Sequence, residues 1–401
     1  MQYKEMDCAM IGASSSAGIS GTVTANKSNL GLQIGNDRIL GRVIRYGVLG
    51  MVIALVPLQQ ALAGRFIPSV IVSSTIPPNG DGNPYGVAFV PTDFPPGGPL
   101  NPGDILVSNF NNSVPIQGTG TTIIRLTPNT QVAPSGSASV FFQGTTPPPL
   151  GLTTALGVLK RGFVLVGSVP TTDGTFQTIQ PGSLLILDRK AKIVATLTKA
   201  NLLDSPWDLT IFDQGDVAKV FVSNVVSGTV TRLDVAIVNG QPVVSTTQIV
   251  KGYTVQANAA AVILGPTGLA YDAATDILYV ASTADNAIFK VPNAGTITQP
   301  VIKGTIIFKD HQLRGPLALV FAPNGDLITS NGDAVNADPT QPSEIVEFTK
   351  DGQFIGQFNV DAGQGGAFGI GIAASGVNAF RLVPVDDNTN SIIVYTLTTG
   401  E

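Results

Sequence analysis

Side chains able to do covalent or proton-transfer chemistry are scarce in these 401 residues: one His, one Cys, one Trp, and no Gly-x-Ser-x-Gly run to mark a serine nucleophile. His311 stands beside Asp310 in the segment 308–316, where an imidazole next to a carboxylate is a candidate general base. A solvated loop histidine satisfies the same pattern. Oxygen donors cluster twice. Segment 331–342 offers Asn331, Asp333, Asn336 and Asp338, and segment 386–390 offers Asp387. Ca²⁺, a hard ion that takes about six to eight oxygens, suits such donors, although neither run has the spacing of an established calcium loop and a polar turn explains each as well. Trp207, preceded by a proline, can stack on a sugar or an aromatic ligand, or fill a core.

The elements that must position these groups are short strands. Val, Ile, Leu, Phe and Thr runs recur between Gly, Pro, Asn and Asp, and almost every acid is Asp, a turn former, rather than Glu. The runs repeat as a unit. Pro84-Tyr-Gly-Val-Ala-Phe-Val90 leads to Ile105-Leu-Val-Ser-Asn109, and Pro206-Trp-Asp-Leu-Thr-Ile-Phe212 leads to Val220-Phe-Val-Ser-Asn224. Pro266 to Asp272 leads to Leu278 to Ser282, and Pro316 to Ala322 leads to Leu327 to Asn331, with weaker copies starting at Thr154 and Gly366. A third strand follows each pair and a fourth follows most. Unit starts fall near 84, 154, 206, 266, 316 and 366.

Four antiparallel strands per unit, repeated radially, predict an all-β fold: a six-bladed β-propeller of four-stranded antiparallel blades. The last unit ends after its third strand, and the orphan strand Ser69-Val-Ile-Val-Ser-Ser74 is available to complete it, so the ring is expected to be closed by an N-terminal strand. In such a ring the loop entering each innermost strand shares a face with the loop between second and third strands. That places Tyr85, Asn109, Trp207, Asn224, Asn331 and Asp333 around the channel mouth as candidate ligand-binding residues. Asn at a strand end also serves simply to cap it.

Charge and composition narrow the functions. The charged fraction is 12% and the net charge −5, with no basic block, so nucleic acid is not expected as a partner. Arg42 and Arg45 precede an apolar run at 46–58, followed by Ala61-Leu62-Ala63. This reads as an export signal: residues 1–63 form a leader with its apolar region at 46–58 and cleavage after Ala63, and 64–401 form a single propeller domain. A 13-residue run is short for a bilayer, and no membrane span is expected after cleavage. Cys8 leaves with the leader, so the mature chain can form no disulfide and no thiolate site. A secreted or periplasmic monomer of the bacterial envelope is the expectation.

The stretch from Gly265 to Lys290, with its G-P-T-G-L-A opening, its L-Y-V-A strand and an Asn before the third strand, resembles an NHL repeat. Residues 315–348 and 205–233 are similar with longer inserts. The resemblance implies a six-bladed propeller of a secreted bacterial type, distantly similar to gluconolactonase-like and strictosidine-synthase-like propellers. It is one of fold, so function does not travel with it. One histidine cannot supply the zinc site of the peptide-amidating lyase propellers, and no YWTD motif is present. The reading is a binding or protein-interaction module, without cofactor, that takes a polar ligand or a protein partner at its channel mouth. The alternative is a divalent-metal-dependent hydrolase of the lactonase type, with Ca²⁺ on Asp333, Asn336, Asp338 and Asp387 and His311 as base.

Overall fold

Alternating strand and turn chemistry resolves into six antiparallel sheets set radially. The computed structural model describes residues 69–127, 134–144, 150–332 and 344–398. These belong to the second of the two units, 1–61 and 62–401, into which the chain divides. The expected leader, its apolar run at 46–58 and the cleavage point at Ala63 lie outside the described residues. Regular helix among the described residues is confined to two short 3₁₀ turns, Phe176–Thr178 and Lys199–Asn201.

Blade 1 runs outward through Gly82–Phe89, Ile105–Asn111, Thr122–Leu126 and Ser139–Gln143. Blade 2 comprises Leu152–Leu159, Phe163–Ser168, Ser183–Asp188 and Ile193–Leu197. Blade 3 comprises Pro206–Asp213, Val217–Asn224, Thr229–Val238 and Gln241–Lys251, with Val301–Ile302 added in parallel at its rim. Blade 4 is Pro266–Asp272, Ile277–Ser282, Ala287–Pro292 and Thr305–Phe308, and blade 5 is Pro316–Phe321, Leu327–Asn331, Glu344–Phe348 and Phe354–Asn359. Blade 6 takes three strands from the C-terminal end, Ala367–Gly376, Ala379–Asp386 and Ser391–Thr398, and its outermost from Ser69–Ser74. The closure expected from the orphan strand is present: Ser69 to Ser74 pair antiparallel with Thr396 to Ser391.

Pro206, Pro266 and Pro316 open the innermost strands of blades 3, 4 and 5, where a missing N–H costs no ladder bond. Every innermost strand then breaks register just inside its start, between Pro84 and Val87 in blade 1 and between Pro266 and Leu269 in blade 4, for example. Such bulges bend and twist the strand. Apolar side chains fill the seams between neighbouring blades. Leu165, Leu184, Val220 and Leu233 close the seam of blades 2 and 3, and Leu278 and Val280 serve that of blades 3 and 4. Burial of each such side chain contributes about 1.5–3 kcal/mol.

Around the channel, hydroxyls tie one blade to the next. Ser108 Oγ of blade 1 donates to the Thr153 carbonyl of blade 2 at 2.8 Å, Ser223 Oγ of blade 3 to Thr267 of blade 4 at 2.7 Å, and Ser330 Oγ of blade 5 to Phe368 of blade 6. Each serine also accepts an N–H from its own innermost strand, from Gly86, Asp208 or Ala318. Blades 2 and 4 carry Gly167 and Ala281 at the equivalent second-strand positions, and there a threonine of the innermost strand substitutes. Thr153 Oγ1 donates to Pro206 at 3.1 Å and Thr267 Oγ1 to Pro316 at 3.0 Å. In blade 6 the equivalent innermost-strand position is Gly369, where a Cβ would stand 1.9 Å from the Tyr85 carbonyl oxygen of blade 1.

Candidate functional site

The mouth of the channel is floored by aromatic rings that come from different blades. Tyr85 and Phe110 (blade 1) stack with centroids 4.9 Å apart. Trp207 (blade 3) meets Tyr85 edge-on at 5.8 Å, and Phe368 (blade 6) lies 5.0 Å from Tyr85. These offset and edge-on arrangements are the ones ring quadrupoles favour. Tyr85 and Trp207 are buried, at 4% and 1% exposure. Above the rings lies a recess of about 240 Å³, bounded further by Leu317, Thr267 and Asp387.

A two-stranded hairpin, Gln256–Asn258 with Val262–Leu264, forms one wall. Inserted between blades 3 and 4, it reaches blade 1 on the far side of the mouth, where Gln117 Nε2 donates to the Ala260 carbonyl at 2.7 Å. Asn258 Oδ1 accepts the Ala260 and Ala261 amides and shapes its turn. Val262 sits at φ +61°, in a γ-turn closed by the Ile263 amide on the Ala261 carbonyl. A β-branched residue there is strained, and strain of this kind gathers at ligand clamps.

Three buried polar atoms of the recess lining have no hydrogen-bond partner: Trp207 Nε1, Asn111 Oδ1 and Asn83 Oδ1. A buried polar atom left so costs about 1–3 kcal/mol relative to one that is paired. Beside the recess Asn109 Oδ1 is also unpaired, whereas other polar side chains of the lining are engaged. Thr283 Oγ1 and Thr267 Oγ1 both donate to the Pro316 carbonyl, and Asp387, the one carboxylate in the lining, is not free. Among the described residues the lining holds no Lys, Arg or His.

Of the residues expected at the mouth, Tyr85 and Trp207 come together there. Asn109, Asn224 and Asn331 are buried beside it, and their amides hold the chain itself. Asn224 Oδ1 accepts the Asp204 N–H and Asn331 Oδ1 the Arg314 N–H, both in segments entering an innermost strand, and Asn109 Nδ2 donates to the Thr75 carbonyl. Asn331 Nδ2 also reaches Glu344 at 3.1 Å. Asp333, Asn336 and Asp338 lie outside the described residues. His311 is exposed, its ring bonded to the neighbouring Asp310 at 2.6 Å, and it is not part of the recess lining. Among the described residues no three His, Cys, Asp or Glu side chains stand together to hold a metal.

Phe110, Asn111, Asn83 and the hairpin are the parts that strand reading missed. Asn83 and Phe110 each adjoin a residue that pattern identified, Pro84 and Asn109, so alternation along the two strands was the available signal.

At its other end the channel widens to a cavity of about 410 Å³. Across the ring, the innermost-strand positions in register are Gly86, Ala155, Asp208, Gly268, Ala318 and Gly369. Asp208 is the one that is not Gly or Ala. Its carboxyl accepts only the Leu209 N–H, and burial pushes its pKa well above the ordinary carboxylate range.

The sequence matches no family model and no curated protein. Solved structures share the fold. A gluconolactonase from Xanthomonas campestris is 11% identical, with a TM-score of 0.50, covering 82% of this chain and 89% of that one. Virginiamycin B lyase from Staphylococcus aureus is 12% identical at a TM-score of 0.47, covering 82% and 100%. A regucalcin from Agrobacterium tumefaciens, described as calcium-binding, is 12% identical at 0.45, covering 79% and 92%. At such identities the likeness is one of fold alone, and the ring of six sheets makes the chain a six-bladed β-propeller.

Proposed function

We propose that this protein is an exported, NHL-like binding propeller that takes a small ligand in the recess at its channel mouth. The observation that carries the reading is Trp207 Nε1, a buried donor left without an acceptor on a side chain that lines the recess and packs against the rings of Tyr85 and Phe110. A donor in that position favours whatever brings an acceptor to it. Among the described residues no nucleophile and base stand in contact at the recess, which supports binding rather than turnover. Export rests on the arginine-flanked apolar run before Ala63, and the NHL-like reading on residues 265–290.

The alternative, metal-dependent hydrolysis, draws on the names of the neighbours and on Asp387 at the recess. The donors brought together among the described residues do not suit a metal ion, so no step is derived through one. Thermal melts with excess Ca²⁺ and with EDTA separate the two readings. Coincident melts, with no lactone hydrolysed, are expected. A midpoint raised by Ca²⁺, accompanied by EDTA-sensitive lactone hydrolysis, overturns the binding-module reading.

A further inference from the structure

We infer that the ligand of the channel-mouth recess is a planar, uncharged molecule of one aromatic ring whose edge carries both a hydrogen-bond acceptor and a donor, as an aromatic amide does. The inference rests on the proposal that this recess is the binding site. Size comes first. An apolar cavity of roughly 150 Å³ holds a benzene ring, and the recess of about 240 Å³ leaves room for one ring and a small substituent. Its walls are the faces and edges of Tyr85, Phe110, Trp207 and Phe368 with Leu317, surfaces that reward a flat apolar body.

Polar complementarity is narrow. Trp207 Nε1 is a donor that wants one acceptor, and Asn111 Oδ1 and Asn83 Oδ1 are acceptors that want a donor. Asn111 is 7% exposed, so its oxygen is not compensated by bulk water. A sugar brings hydroxyls on every side and finds few partners, because Thr267, Thr283 and the Gln117 amide nitrogen are already bonded within the protein. Each hydroxyl buried without a partner counts against it. An anion fares no better, since among the described residues the lining holds no cation.

Trp207 is the only tryptophan in the chain, so its emission reports on this recess alone. The probes are benzamide, toluene, benzoate, benzylammonium and glucose, titrated into the intact protein with selective tryptophan excitation. Benzamide is expected to change the emission saturably and to bind at least about tenfold more tightly than toluene, a difference of about 1.4 kcal/mol. Benzoate and glucose are expected to give no saturable change, and benzylammonium to bind more weakly than benzamide. Asn111→Leu, checked for fold by circular dichroism, should lower the affinity for benzamide about tenfold and leave that for toluene unchanged. The comparison of probes on the unaltered protein stands even if that variant does not fold. Glucose, benzoate or benzylammonium binding as tightly as benzamide overturns the ligand class but keeps the site. No saturable response to any of the five probes overturns the site, and the inference with it.

Discussion

Asp208→Asn isolates the one carboxyl among the described residues that line the cavity at the channel's other end. The group is buried, accepts one N–H from Leu209 at 2.7 Å, and faces a cavity with no Lys or Arg among its described lining residues. The other titratable side chain in that lining is Tyr271, whose hydroxyl donates to Asp276 and whose pKa burial pushes up to about 12. With no cation to hold the charge, the folded protein keeps Asp208 protonated at pH values where the unfolded chain, near its ordinary value of 3.8, has released the proton. A folded pKa above the unfolded one means that the stabilising contribution is complete below the unfolded pKa and is lost as pH rises through the folded one. The slope reaches about 1.4 kcal/mol per pH unit across that window. Asparagine matches the protonated acid in shape and retains the acceptor for Leu209, but does not titrate. Urea unfolding of both proteins at pH 4 and pH 8 measures the difference, and other groups cancel between them. The variant is expected to equal the parent within about 0.5 kcal/mol at pH 4 and to exceed it by more than about 1 kcal/mol at pH 8. A variant less stable than the parent at pH 8 refutes the reasoning, because it means that the carboxylate is ionised there and holds a bound cation.

Further outcomes follow from the same geometry. Ser223→Ala removes the tie from blade 3 to the Thr267 carbonyl and strands the Asp208 N–H, and should lower stability by about 1–3 kcal/mol in urea. A chain starting at Thr75 lacks the strand that pairs with Ser391 to Thr396, and calorimetry should find its midpoint well below that of a chain starting at Gly64. Gln117→Ala releases the hairpin tip at Ala260. Amide exchange at Ile263 should then speed up severalfold while the exchange of Leu165, in the seam of blades 2 and 3, stays as in the parent.

Blade architecture was legible because its signals are local and repeated. A proline opens the innermost strands of blades 3, 4 and 5, the Ser-Asn pairs 108–109, 223–224 and 330–331 stand at or near the end of the second strands of blades 1, 3 and 5, and Ser69–Ser74 had no partner other than the last unit. The roles within those pairs were not legible. Asn224 and Asn331 each accept an N–H from the segment entering their own blade, a repeated structural duty that a ligand-facing asparagine would imitate in sequence. Likewise, Ser108, Ser223 and Ser330 tie neighbouring blades, which strand patterning within one unit cannot reveal. The recess was legible in part. Tyr85 and Trp207 occupy matching places after a proline, whereas Phe110 and Phe368 reach the same spot only once blades 1 and 6 are adjacent. The hairpin at 256–264 escaped notice because Ala257 and Ala259 to Ala261 carry neither alternation nor β-branched bulk.

The most direct measurement of the central claim is the indole N–H resonance of Trp207, the only one the chain can give. In a ¹H–¹⁵N correlation spectrum it should appear as a single peak, well protected from exchange by burial. On titration with benzamide it should move downfield and saturate, as an acceptor reaches Nε1. An indole peak that stays in place at every benzamide concentration while peaks elsewhere shift would contradict the placement of the binding site at the channel mouth.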